Sequence, residues 1–121
     1  MSTIKTETLS TPSNATVPVD TVVNGTAKAW VNFNGTGTVA IRRAFNVSSI
    51  TDLGTGNYTV NFTNAMSDAN YAFTANHSGY SGSIGYTFAF VDIASAIRIL
   101  TFGNVESNYV DPGAITVTIF S

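Results

Sequence analysis

"GTGNYTVNFTNAM", residues 54–66, alternates polar and apolar side chains with a period of two: Asn57, Thr59 and Asn61 interleave with Tyr58, Val60 and Phe62. A period of two places successive side chains on opposite faces of a β-strand, whereas a helix would repeat every 3.6 residues. The stretch therefore reads as a half-buried strand with its aromatic and branched residues inward. Asp52-Leu53-Gly54-Thr55-Gly56 before it carries turn chemistry, and "NVSSIT" at 46–51 supplies a neighbour, so the two form a hairpin.

The same pattern extends on both sides. "AKAWVNF" places Ala29, Val31 and Phe33 on one face, "NGTGT" at 34–38 supplies an Asn-Gly turn, and "VAIRRAF" follows with Val39, Ile41 and Phe45 in phase. Beyond the loop "NAMSDAN", "YAFTANH" aligns Tyr71, Phe73 and Ala75. After the glycine loop at 78–85, "YTFAFVD" aligns Tyr86, Phe88 and Phe90. "AIRILTF" is short enough to be helical, but its β-branched and aromatic content favours a strand. "GNVESNYVDPG" is a long loop, and "AITVTIF" closes with Ile115, Val117 and Ile119 inward. No helix of ten or more residues fits. About seven to eight short strands separated by turns predict an all-β fold, an antiparallel β-sandwich of jelly-roll type, over residues 26–121. Residues 1–25, rich in Thr and Ser with Pro12 and Pro18, show no sustained period and read as an extended N-terminal arm or linker.

Composition narrows the function. A chain of 121 residues with 44 % hydrophobic and 12 % aromatic residues can bury a core, and one domain is the expectation. Charged residues make up 10 %, against the ~25 % usual for soluble domains. A net charge of −2 lacks the basic field that draws a phosphate backbone, so nucleic acid is not an expected partner. The absence of cysteine removes disulfides, thiolate metal sites and a cysteine nucleophile together. No run approaches the ~18 apolar residues of a membrane span, and the opening residues lack a signal peptide's apolar centre, so a soluble protein made in a cytoplasm is expected. Seven Asn-X-Ser/Thr triplets, at Asn14, Asn24, Asn34, Asn46, Asn57, Asn61 and Asn76, follow from Asn and Thr sharing the outer face of strands two residues apart.

Catalysis needs a nucleophile beside a base or paired carboxylates, and neither pattern is present. Asp52, Asp68, Asp92, Glu106 and Asp111 are scattered over turns and strand ends. No metal or cofactor is expected, because neither a calcium loop nor a His or Cys ligand spacing occurs; Glu106 and Asp111 flank one loop and are more simply solvated there. A binding role therefore rests on loop residues: His77 beside the glycine loop, Tyr80 within it, and Tyr109 and Asp111 in the long loop. Tyrosine among small polar residues makes adaptable contacts and stacks on sugar rings, although both tyrosines could equally cap the core. Arg43 falls in phase with Ile41 and Phe45. A core-facing guanidinium needs a bulge, a carboxylate or a subunit contact to be tolerated, and the last two are favoured over a ligand role.

Residues 27–75 resemble a module recurrent in tail fibres and other virion structural proteins of tailed bacteriophages, marine ones especially. The similar features are Trp30 to Phe33, "GTGT" at 35–38, Ala40 to Arg42, "NVSSITD" at 46–52, "GTGNYTVNFT" at 54–63, "AMSDANY" at 65–71 and the closing Phe-Ser. One departure is Ser67, where the module usually carries proline. The resemblance implies a virion protein that is not an enzyme: a tail-fibre or receptor-binding domain touching a host-surface glycan or outer-membrane protein, or alternatively a capsid decoration protein or head fibre. It also implies a homotrimer, for which Trp30 and Arg43 are the candidate subunit contacts, and attachment to other virion proteins through the arm. His77, Tyr80, Tyr109 and Asp111 are then the candidate receptor-binding residues. Between 76 and 111 the resemblance fades, where such a module would carry its receptor-specific surface.

Overall fold

The computed structural model describes residues 2–78, 85–104 and 108–121. The arm forms a two-stranded ribbon, β1 (Thr8–Ser10) with β2 (Thr16–Pro18), and a short helix α1 (Val19–Gly25). Eight further strands follow: β3 (Ala29–Asn34), β4 (Ala40–Phe45), β5 (Val47–Asp52), β6 (Asn57–Phe62), β7 (Ala72–Ser78), β8 (Tyr86–Ile93), β9 (Ala96–Phe102) and β10 (Ala114–Phe120). They pair antiparallel into two four-stranded sheets, ordered β4-β3-β10-β7 and β5-β6-β9-β8.

The fold is thus all-β and built of two antiparallel sheets, but its strand order is not that of a jelly roll. Three successive pairs, β3–β4, β5–β6 and β8–β9, remain in one sheet as hairpins. Their turns fold each strand back antiparallel beside its predecessor, whereas at Asn46, in the left-handed region, the chain crosses directly from β4 in one sheet to β5 in the other.

The strand read first behaves as its pattern predicts. Tyr58, Val60 and Phe62 are buried, as are Ala29, Val31 and Phe33 on β3 and Ile115, Val117 and Ile119 on β10. Ile97 and Ile99 of β9 complete the interior. Each branched or aromatic side chain among them contributes about 1.5–3 kcal/mol on burial, so hydrophobic packing outweighs anything the few charges could supply. Phe33 and Tyr58 meet edge to face with centroids 5.3 Å apart, joining the two sheets.

Strand β4 departs from expectation. Its register against β3 slips between Asn32 and Phe33, so Arg42 is an extra, bulged residue. Ile41 consequently pairs with Phe33, while Arg43 and Phe45 pair with Asn32 and Trp30 on the outer face. The whole strand is exposed, and Arg43 needs no buried counter-charge.

The two ends of the sandwich are pinned differently. At the arm end, Lys28 N donates to Ile119 O (2.7 Å), and Asn46, in the left-handed region at φ 56°, clamps two segments. Its Nδ2 donates to Lys28 O and Asn64 O, both at 3.0 Å, and its Oδ1 accepts from Asn64 N at 2.7 Å. At the far end, Asp111 Oδ1 accepts from Tyr58 Oη (2.6 Å) and Gly56 N (2.7 Å). Gly56 there has φ 64°, and an added Cβ would stand 2.5 Å from Thr101 O, so only glycine fits. Asn34, Asn46 and Asn61 of the Asn-X-Ser/Thr triplets all use their amides in hydrogen bonds within the fold.

Candidate functional site

The outer face of β8 and β9 carries the molecule's densest exposed aromatic surface among the described residues. Along β8 the inward positions are the small or branched Thr87, Ala89 and Val91, while Tyr86, Phe88 and Phe90 project outward. They remain 46 %, 41 % and 50 % exposed, about 7 Å apart along the strand. "YTFAFVD" thus has apolar residues on both faces, and β8's edge position beside inward-facing Ala75 and His77 leaves the smaller set to fill the core.

Register extends the row across the sheet. Tyr86 lies opposite Phe102, Phe88 opposite Leu100 and Phe90 opposite Arg98. Phe102 is only 6 % exposed because Phe88 meets it edge-on (5.6 Å, 82°) and Tyr109 lies across it (4.5 Å, 41°). The backbone around Tyr109 is fixed from both sides: Tyr109 bridges Phe102, Gly103 N donates to Asn108 O (2.8 Å), and Val110 N donates to Thr101 O (3.1 Å). Buried Thr101 returns its hydroxyl to Val110 O at 2.7 Å. Tyr109 is therefore a preset ring, still 45 % exposed.

Between these rings lies a groove of 370 Å³ lined by Asn57, Phe90, Asp92, Arg98, Leu100 and Tyr109. Arg98 Nε donates to Asn57 Oδ1 at 3.0 Å, which orients the guanidinium and leaves the amide nitrogen of Asn57 as a donor. Asp92 supplies the carboxylate. Burial first, and the charge of Asp92 second, push the pKa of the nearby Tyr71 hydroxyl up to about 12.

Tyr109 is the expected contact residue that joins this site. Tyr80 lies outside the described residues, as does Glu106. His77 faces inward from β7, where its Nδ1 meets Thr87 Oγ1 of the opposite sheet at 2.7 Å, and burial lowers its pKa. Asp111 is occupied at the far end, where burial first and its hydrogen bond second push the Tyr58 hydroxyl well above its usual range. Trp30 and Arg43 sit on the outer face of the other sheet in adjacent rows, Trp30 opposite Phe45 and Arg43 opposite Asn32. Among the described residues no three His, Asp or Glu side chains gather as a metal site, and no helix is long and apolar enough to cross a membrane.

Sequence reasoning did not single out Phe90, Asp92, Arg98 or Asn57 as a group. They come together only through the β6–β9–β8 register, although the lack of a polar face in "YTFAFVD" was a local signal. Among known proteins, no family model matches this chain, nor does any curated protein or solved structure.

Proposed function

We propose that this protein is a structural part of a tailed-bacteriophage virion, a tail-fibre or receptor-binding domain that adheres to the host surface without cleaving it. The observation that carries the reading is the outward aromatic row ending in the preset Tyr109. Rigid, half-exposed aromatic rings provide contact area with little conformational entropy to lose on binding. Their placement suits the role: the arm joins the sandwich at Lys28, whereas Tyr109 lies toward the opposite end, near Gly56 and Asp111. A body held by its arm presents that end outward.

In this reading the partners are a host glycan or outer-membrane protein, other virion proteins through the arm, and two further copies of the chain. The outer face around Trp30 and Arg43 is the trimer contact, and multivalency strengthens weak individual sites. Immunogold labelling of intact particles tests the location: gold at fibre tips is expected. Purified domain should also compete with phage adsorption, and full adsorption at saturating domain would sink the adhesive role. Light scattering of the Trp30→Ala variant should show a smaller species than the parent chain.

A second reading, a capsid decoration protein or head fibre, is favoured by the arm itself. Ile4, Leu9, Val22 and Val23 are exposed apolar side chains on it. Its backbone hydrogen bonds outside regular elements, Val19 N to Glu7 O among them, close within the arm. An arm of this kind suits docking in a groove of a larger assembly. On this reading gold appears over the capsid, and deleting residues 1–25 releases the protein from particles.

A further inference from the structure

We infer that the groove between Tyr109 and Phe90 is a saccharide subsite that takes a neutral hexopyranose residue, a conclusion that rests on the adhesive reading and gives it a ligand class. Two kinds of surface meet there. Tyr109 and Phe90 offer aromatic rings to the C–H face of a pyranose, and Leu100 provides an apolar floor. The polar side chains beside them match sugar hydroxyls in kind. Asp92 accepts from a pair of neighbouring hydroxyls, while Arg98 and Asn57, already joined through Nε and Oδ1, donate from their remaining N–H groups.

The charge balance sets the class. Among the described residues one carboxylate and one guanidinium line the groove, so their charges balance. An anionic sugar would gain Arg98 but face Asp92, and a cationic ligand would meet the reverse, whereas uncharged hydroxyls use both groups. The volume of 370 Å³ lies at the small end of ligand sites and suits one or two sugar units. A protein partner would need roughly 800 Å² of this side, which would extend over Tyr86, Phe88 and Ile93 rather than the groove alone.

Affinity electrophoresis of the full chain tests the inference, with laminarin, yeast mannan and a soluble galactan as neutral polymers and alginate as the anionic control. At least one neutral polymer is expected to retard the chain, with affinity falling about tenfold or more in Tyr109→Ala and again in Asp92→Asn. Thr74→Ala, on the outer face of the opposite sheet, should bind as the parent does. Asp92→Asn is nearly isosteric and exposed, so it keeps the test valid if Tyr109→Ala folds poorly. Three outcomes overturn the inference: no neutral polymer retards the chain, alginate alone retards it, or retardation survives both substitutions. Binding to the cells that the parent phage infects separates the two levels. Cell binding without polysaccharide retardation defeats the saccharide subsite alone, and loss of both defeats the adhesive reading as well.

Discussion

The outer faces of the two sheets are built from the same strand geometry and solve exposure in opposite ways. On the β4-β3-β10-β7 sheet, register lines up Phe45, Trp30, Thr118 and Thr74 in one row and Arg43, Asn32, Thr116 and Asn76 in the next. Short polar residues dominate, and the large apolar side chains, Trp30 at 39 % and Phe45 at 53 % exposed with half-buried Phe120, gather at one end. On the β5-β6-β9-β8 sheet the corresponding rows carry Ser, Thr and Asn on β5 and β6, then Arg98, Leu100 and Phe102 on β9, and turn aromatic on β8. One face is a mostly polar plane with a single apolar corner; the other is an aromatic strip framed by Arg98, Asn57 and Asp92. On the proposed reading, the scarcity of charge serves two ends. Uncharged Asn and Thr can be covered by a like surface at little desolvation cost, whereas exposed rings with a few charges favour a ligand that has both apolar and polar sides.

The sharpest way to break this contrast is at Phe102, the ring beneath the aromatic strip. Phe102→Ala removes a buried side chain in contact with both Phe88 and Tyr109 and should lower unfolding free energy by about 3 kcal/mol or more, read by urea denaturation. Trp30→Ala, at a half-exposed site, should cost about 1 kcal/mol or less by the same measurement. Equal losses would mean that the two faces are not differently built.

A smaller effect sharpens the other face. Asn32 Oδ1 is buried and has no hydrogen-bond partner within the described residues. Asn32→Val should raise the stability of the isolated subunit by about 1 kcal/mol, because an unpaired buried carbonyl is removed. A gain in subunit stability together with weakened self-association would show that this amide is kept for a neighbouring copy; a drop in stability would mean that it is already satisfied.

The smallest effect concerns the seam between the sheets. Burial holds the pKa of His77 below its ordinary 6.5. Above about pH 6.5 the ring is neutral both folded and unfolded; below that, the unfolded chain takes up a proton that the folded one resists. Stability should therefore fall as pH drops from about 6.5 toward the folded pKa and then stop responding to this group. In His77→Gln this step should vanish from the pH dependence of the urea midpoint, and an unchanged profile would assign it to other groups.

How much of this was legible in the sequence depends on whether one face of a strand is polar. β3, β6 and β10 each repeat an apolar residue at every second position against a face made mostly of Asn and Thr, so Phe33, Val60 and Val117 could be placed inward directly. "VAIRRAF" misled because the bulge at Arg42 shifts phase mid-strand, and no glycine or proline marks it. "YTFAFVD" misled for a different reason: it has no polar face to break the tie, and the aligned Tyr86, Phe88 and Phe90 face outward. The sandwich was legible, but its strand order was not, since pairings such as β10 with β7 depend on the whole assembly of turns. The candidate groove is of the same kind: Asn57 and Arg98 are distant in sequence and meet only across a ladder. Asp111 reads locally as an ordinary turn residue, and its bonds to Tyr58 and Gly56 are visible only in three dimensions.

The chain enters β3 at Lys28 and leaves β10 at Phe120, side by side at the arm end, while the aromatic strip runs toward the other end. Tension applied between the arm and a ligand on that strip would run roughly parallel to the strands. Hydrogen bonds in an antiparallel ladder lie perpendicular to that direction, so β3 could slip against β4 and β10 only by straining many of them together. Pulling on the two chain ends instead would open the β3–β10 ladder from one end, bond by bond. In mechanical terms, the sandwich is braced against a load carried from arm to strip and weak against one applied between its own termini.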